Sequence, residues 1–282
     1  MGSTLVYCML ILLTLITLYP FVYVFSMSVS DPYAVMRQEV WLLPKGFTLD
    51  SYEKVFQNKD LWMNYGNTLW YTVVGTLINM VCLVIGAYPL SRKNLFLRRP
   101  IMKAITFTMF FSGGMIPTFM VINSLGLYNT RWAMVIPNAV SVWNLIIART
   151  YFEGIPEELI ESAKLDGAND LTILGRVVLP LSKSILAVLM LFSAVNHWNA
   201  YFNAVLYLPS PEIQPLQIYL QKLLINMSDI SGGDNPLGIS RSMQVVQMRY
   251  STILVVTLPI LCIYPFLQKY FVKGVMIGAI KA

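Results

Sequence analysis

Six apolar runs, each separated from the next by a polar stretch, constrain this chain more than any other feature. They cover about residues 4–29, 65–90, 104–122, 133–148, 184–208 and 251–270. A helix needs roughly 17–25 residues to cross the hydrocarbon core of a bilayer. Apart from Lys269 at the edge of the last run, none contains Asp, Glu, Lys or Arg. Composition agrees: 56% of residues are hydrophobic and 12% charged, against about 25% charged in soluble domains. The expectation is an all-α membrane protein of six transmembrane helices, organised as a single domain over 1–282. The first run is too long for a signal peptide and lacks its basic start and small-residue cleavage site, so it reads as a retained span. Pro20 is expected to kink it near its outer end.

Six spans place both termini on one side, and the basic residues choose which. Loops 91–103, 149–183 and 269–282 carry 12 Lys and Arg against 6 Asp and Glu. The intervening loops 30–62, 124–132 and 209–250 carry 8 of each over a greater length. The first set, and both termini, are therefore expected in the cytoplasm. The net charge of +6 belongs to this asymmetry, which argues against nucleic acid as a partner.

Soluble-enzyme constellations are missing from the sequence. There is no G-x-x-x-x-G-K-[ST] loop to cradle phosphates, so no ATP site of its own is expected. His197 is the single histidine, too few for a metal cluster or a catalytic set. Cys8, Cys82 and Cys262 all lie in apolar runs and read as small hydrophobes. A proton-coupled carrier tends to keep a carboxylate within the membrane; the lack of one favours an external energy source.

The fifth run is interrupted by Asn196-His197-Trp198-Asn199-Ala200-Tyr201-Phe202-Asn203. Asn196, Trp198, Asn199, Tyr201 and Asn203 suit a path for a hydroxyl-rich ligand, since amides pair with hydroxyls and aromatic faces with sugar rings. They equally suit interhelical glue with an interfacial aromatic belt, and both readings stand. Gly113, Gly114 and Pro117 divide in the same way, between a discontinuous helix lining a path and close packing.

The polar stretch 153–180 has legible punctuation. Pro156 opens a helix, and Glu157 and Glu158 sit where its dipole favours negative charge. Leu159, Ile160 and Ala163 give it an apolar side. Asp166-Gly167 ends it, glycine being suited to a left-handed turn. Asn169 or Asp170 can cap a second helix with Leu171, Leu174, Val178 and Leu181 as its apolar stripe. Pro180 marks the junction with the next span.

This helix–glycine–helix unit resembles the EAA loop of binding-protein-dependent ABC importer permeases, E-A-A-x-x-D-G-A followed about ten residues later by proline. Here it reads Glu161-Ser162-Ala163-Lys164-Leu165-Asp166-Gly167-Ala168, then Leu179-Pro180; Ser162 for the first alanine is the one departure. Tyr19-Pro20-Phe21, Asn67-Thr68-Leu69, Gly113-Gly114-Met115-Ile116-Pro117 and the tail 269–282 resemble the carbohydrate branch. Within it, the chain is similar to the second permease of maltose-type importers and to permeases for complex or acidic oligosaccharides. The resemblance implies the type I permease fold with a cytoplasmic coupling helix ending at Gly167. Glu161, Ser162, Ala163, Asp166, Gly167, Ala168 and Pro180 would then serve coupling to an ATPase, with Glu161 pairing a basic group there.

It further implies a second, homologous permease as heterodimer partner, two ATP-binding cassette subunits that hold ATP and Mg, and an extracytoplasmic sugar-binding protein. The setting would be the bacterial cytoplasmic membrane, surrounded by lipid. The substrate would be an oligosaccharide, with uronic-acid chains such as alginate fragments in view, moved by alternating access. A stand-alone sugar carrier or channel is the alternative.

Overall fold

The computed structural model describes residues 2–225 and 246–262, and among them every regular element is a helix. In chain order these are α1 (Gly2–Ser28), α2 (Pro32–Met36), α3 (Asp50–Gln57), α4 (Lys59–Ser91) and α5 (Arg98–Phe110). There follow α6 (Met115–Ser124), α7 (Trp132–Val135), α8 (Val142–Glu153), α9 (Glu157–Leu165) and α10 (Asp170–Ile173). A π turn, Leu174–Val178, leads into α11 (Leu179–Leu181), then α12 (Lys183–Trp198), α13 (Phe202–Tyr207), α14 (Leu216–Ile225) and α15 (Val246–Cys262). The Gly232-Gly233 loop, the last part of the sixth apolar run and the tail 269–282 lie outside the described residues.

The helices form two compact units. The first takes the chain up to Tyr65 and from Leu216 to Leu261. Its α1 is apolar almost throughout and runs on through Pro20 as one helix. The Thr14 and Thr17 hydroxyls donate to the Leu10 and Leu13 carbonyls at 2.7 and 2.9 Å, which hides their polarity within the helix itself. Asp31 caps α2, accepting from the Tyr33 amide at 2.8 Å. Met27, Val35 and Val40 form a small core with Tyr23, Val246 and Tyr250. Small polar side chains pin α15 beside it: Ser51 and Ser251 hydroxyls lie 2.6 Å apart, and Gln247 Nε2 donates to the Ser30 carbonyl at 2.5 Å.

The second unit takes Gly66–Pro215. Its largest core joins Leu83, Ala87, Tyr88 and Leu90 of α4 to Ala148 and Phe152 of α8, then to Ile155, Ile160, Ile173, Val178 and Leu189. A smaller core joins Ile122, Ala133 and Tyr207. The expected third span is broken between Phe110 and Met115, and the expected fifth between Trp198 and Phe202. α5 and α6 meet at 114°, and the helical stretch Asp170–Leu181 meets α12 at 84°. Among the described residues two helices, Thr4–Ser28 and Lys59–Ser91, are long and apolar enough to cross a bilayer, or four if each bent pair is one span. The fourth apolar run is likewise divided, into α7 and α8 with residues 136–141 between them.

Candidate functional site: the loop between α8 and α12

The sequence builds α9 much as its punctuation suggests, with one shift at the start. Pro156 is the cap residue, with extended backbone, and Glu157 is the first helical position. The C-terminus closes with a full Schellman pattern. The Ala168 amide donates to the Ala163 carbonyl at 2.9 Å and the Gly167 amide to the Lys164 carbonyl at 3.0 Å. That closure needs a left-handed residue, and Gly167 has φ +80°. No atom lies within 4 Å of where its Cβ would stand, so backbone angle alone demands glycine. Asn169 then caps α10, its Oδ1 accepting from the Thr172 amide at 2.8 Å.

Which side chains turn inward differs from the expected stripes. Ile160 is buried as the inner contact of α9, with Ala163 and Ala168 packed partly against the same core. Leu159 faces outward. Beyond the turn the core takes Val178 as expected, with Leu174 packed partly against it, and Ile173 besides, while Leu171 is 79% exposed and Leu181 about half exposed. A π turn, Leu174–Val178, interrupts the stripe beyond Ile173; it ends two residues before Pro180, which has no N–H for the carbonyl four residues back and whose ring crowds that carbonyl.

The outer face of α9 carries Glu158, Leu159, Glu161, Ser162, Leu165 and Asp166, with Leu165 88% exposed. Its root is held by charge. Arg98 and Arg149 both grip the Glu153 carboxylate, Arg149 at 2.8 Å. Arg92 donates to the Phe152 carbonyl at 2.6 Å and lies 5.3 Å from the Tyr88 ring centroid. Lys93 Nζ is 2.8 Å from Glu157. That hydrogen bond holds the Glu157 carboxyl below the usual carboxylate range and Lys93 above its usual value; both are well exposed, so the pair adds little stability. A cleft of about 540 Å³ lies alongside, lined by Tyr88, Arg92, Ile160, Lys164 and Asp170 among others. Sequence reading assigned these arginines to membrane orientation and missed their grip on Glu153; only the four-residue spacing of Arg149 and Glu153 signalled it.

The stretch 196–203 is a true helix break. α12 ends at Trp198 and α13 begins at Phe202. Trp198 is buried, Asn203 half-buried, and Asn196, Asn199 and Tyr201 exposed. Gly113 and Gly114 lie exposed at the α5–α6 bend, Gly114 with φ +86°. The clefts at the motif loop and along α5 are lined by none of these residues. What the structure does bring together is His197, Asn79 and Asn138. The Asn79 amide donates to the Asn138 carbonyl at 2.9 Å, which leaves its Oδ1 to accept from His197 Nε2, also at 2.9 Å. The imidazole lies on Gly75, where a Cβ would stand 2.5 Å from the ring. Among the described residues no three His, Cys, Asp or Glu side chains gather as a metal site would.

The comparisons give this helical, largely apolar chain its class. The family model "binding-protein-dependent transport system inner membrane component" matches residues 82–277, and the chain belongs to this family. It is 39% identical over 277 residues to the polygalacturonan/rhamnogalacturonan transport system permease protein YtcP of Bacillus subtilis, covering 98% of this chain and 97% of that one. To the protein LplC of the same organism it is 39% identical over 268 residues, 94% of this chain and 90% of the relative. Among solved structures it matches a bacterial ABC transporter involved in the import of the acidic polysaccharide alginate. There the identity is 36% and the TM-score 0.86, over 96% of both chains. The chain is thus a permease component of a binding-protein-dependent, ABC-type importer, and the self-contained carrier is set aside.

Proposed function

We propose that this chain is one of two different permeases in an ATP-driven importer of acidic oligosaccharides, with uronic-acid chains as the substrate class. Two relatives support the class, since polygalacturonan and alginate are both polymers of uronic acids. In this reading the chain forms a single domain with six spans, both termini in the cytoplasm, and α9 is the coupling helix. Two ATPase subunits bind ATP and Mg and do the hydrolysis. Glu161, Ser162 and Asp166 meet the ATPase, Ala163 and Ala168 let the turn sit tight against its own domain, and Gly167 with Pro180 sets the geometry. The 196–203 break and the Gly113-Gly114 bend line the sugar's route.

The observation that carries the reading is the two-sided character of α9. Its inner side is buried at Ile160 and pinned at its root by Glu153 and Glu157. Its outer side leaves Leu159 and Leu165 in the open beside Glu161, and Leu171 of α10 is exposed as well. Exposed leucines amid carboxylates suit a surface that another subunit covers. Closure of the ATPase pair then moves a rigid element that is already fastened to α4 and α8, switching access from one side to the other.

The test is a mild-detergent pull-down of the tagged chain, followed by reconstitution of what is recovered. A second six-span permease and a Walker-motif ATPase should co-purify, and labelled uronate oligomers should enter vesicles only with ATP and a binding protein. A chain that purifies alone and still transports overturns the proposal.

A further inference from the structure

The corner where α4 hands over to α5 carries a second site. A pocket of about 850 Å³ there is lined by Lys93, Arg98, Arg99 and Arg149 and by no carboxylate. Glu153 and Glu157 engage three of these cations from outside the lining. The exposed Arg99 side chain makes no ion pair or hydrogen bond among the described residues. Met102 lines this pocket and also a shallow, mainly apolar trough of about 390 Å³ along α5, which Lys103 and Thr106 enter near its Met102 end and Phe107, Phe110 and Phe111 continue. Phe96, at the pocket's rim, is 94% exposed. A cationic head pocket therefore opens through one shared residue onto an apolar channel. The trough runs along the first helix of a bent pair that is apolar enough to cross a bilayer.

We propose that this corner binds an anionic phospholipid, its phosphate among Arg98, Arg99 and Lys93 and an acyl chain along Phe107, Phe110 and Phe111. Charge complementarity selects the occupant: a free phosphate leaves the aromatic trough bare, and a neutral lipid leaves Arg99 without a counter-charge. A bilayer supplies both halves in one molecule, and basic pockets at a membrane face favour anionic headgroups. The inference rests on the importer reading only in taking the chain to cross a bilayer. Arg98 and Arg149 also hold Glu153 at the root of α9, so the bound lipid braces the same corner that fastens that helix.

The assembled importer, carrying a photo-reactive phenylalanine analogue at position 96, is placed in bilayer discs of equal phosphatidylglycerol and phosphatidylcholine and irradiated. Mass spectrometry of the permease should show the phosphatidylglycerol adduct well above the phosphatidylcholine one. Arg99→Gln should lower the former about five-fold, the usual worth of one cation near an anionic surface, and leave the latter alone. Arg99 is exposed and supports no fold contact among the described residues, so recovery of the variant complex on size exclusion is expected. Equal adducts of the two lipids, indifference to Arg99→Gln, or an adduct to a protein subunit would each overturn the site. The adduct is read whether or not the complex imports uronates, so failure of the transport reading shows separately as absent uptake.

Discussion

The two ends of the second unit treat polarity in opposite ways. At the α8–α9 root, carboxylates and guanidinium groups meet in the open or half-open, and the outward face of α9 is exposed. Around His197 the polar groups are neutral, buried and consumed by one another, with the imidazole laid on a glycine. The first arrangement tolerates change at single charges but depends on the turn that presents them. The second is close-packed and sensitive to added volume. A face left open to solvent and a buried junction between helices need different chemistry, and the chain uses both.

The largest effect is expected at the turn. Gly167→Pro cannot reach φ +80° and removes the amide that bonds Lys164; a local cost of about 3 kcal/mol or more follows. Uptake should vanish while the chain still inserts in membranes, checked by sugar accumulation against immunoblot; normal transport would sink the role given to α9. Next comes the packed junction. Gly75→Ala places a methyl group into the His197 ring and should cost roughly 1–3 kcal/mol, read as a lower melting temperature in detergent. Adding His197→Ala should recover part of that loss. Two independent, additive losses would show that the close contact is not the cause.

Smaller effects are expected from the charges. Glu153→Gln loses the grip of both Arg98 and Arg149 and should destabilise by roughly 1–2 kcal/mol. A change in coupling without a change in melting would shift its role from fastening to docking. Glu157→Gln should barely alter stability near neutral pH, because the pair with Lys93 is exposed. The lowered Glu157 carboxyl contributes above its ordinary range and loses that contribution as pH falls through its value in the folded chain. The raised Lys93 keeps its share until strongly alkaline pH. The small difference between variant and wild type should thus fade in acid, as melting curves across pH would show.

What the sequence disclosed followed the reach of each interaction. The α9 turn closes within residues 163–168, so Asp166-Gly167 and Asn169 were readable where they stand. The apolar stripe after it was half legible: Leu174 and Val178 pack inward as expected, while Leu171 faces out and Ile173 takes an inner place. His197 looked solitary since its partner Asn79 is 118 residues away. The breaks near 111–114 and 199–201 carried their glycine and amide signals. The division of the fourth run at 136–141 had only Pro137 and Asn138 to announce it.

The fastening of α9 also has a mechanical meaning. Its root is held near Glu153 and Glu157, its middle is seated by Ile160, and Ala163 and Ala168 rest partly on the same core, while Leu165 stands in the open. A nine-residue helix is about 13 Å long, so its supports are spread along its length, like those of a beam seated at several points. A sideways load on Leu165 would be shared among them, and in the proposed coupling role the helix would move with its domain as one piece.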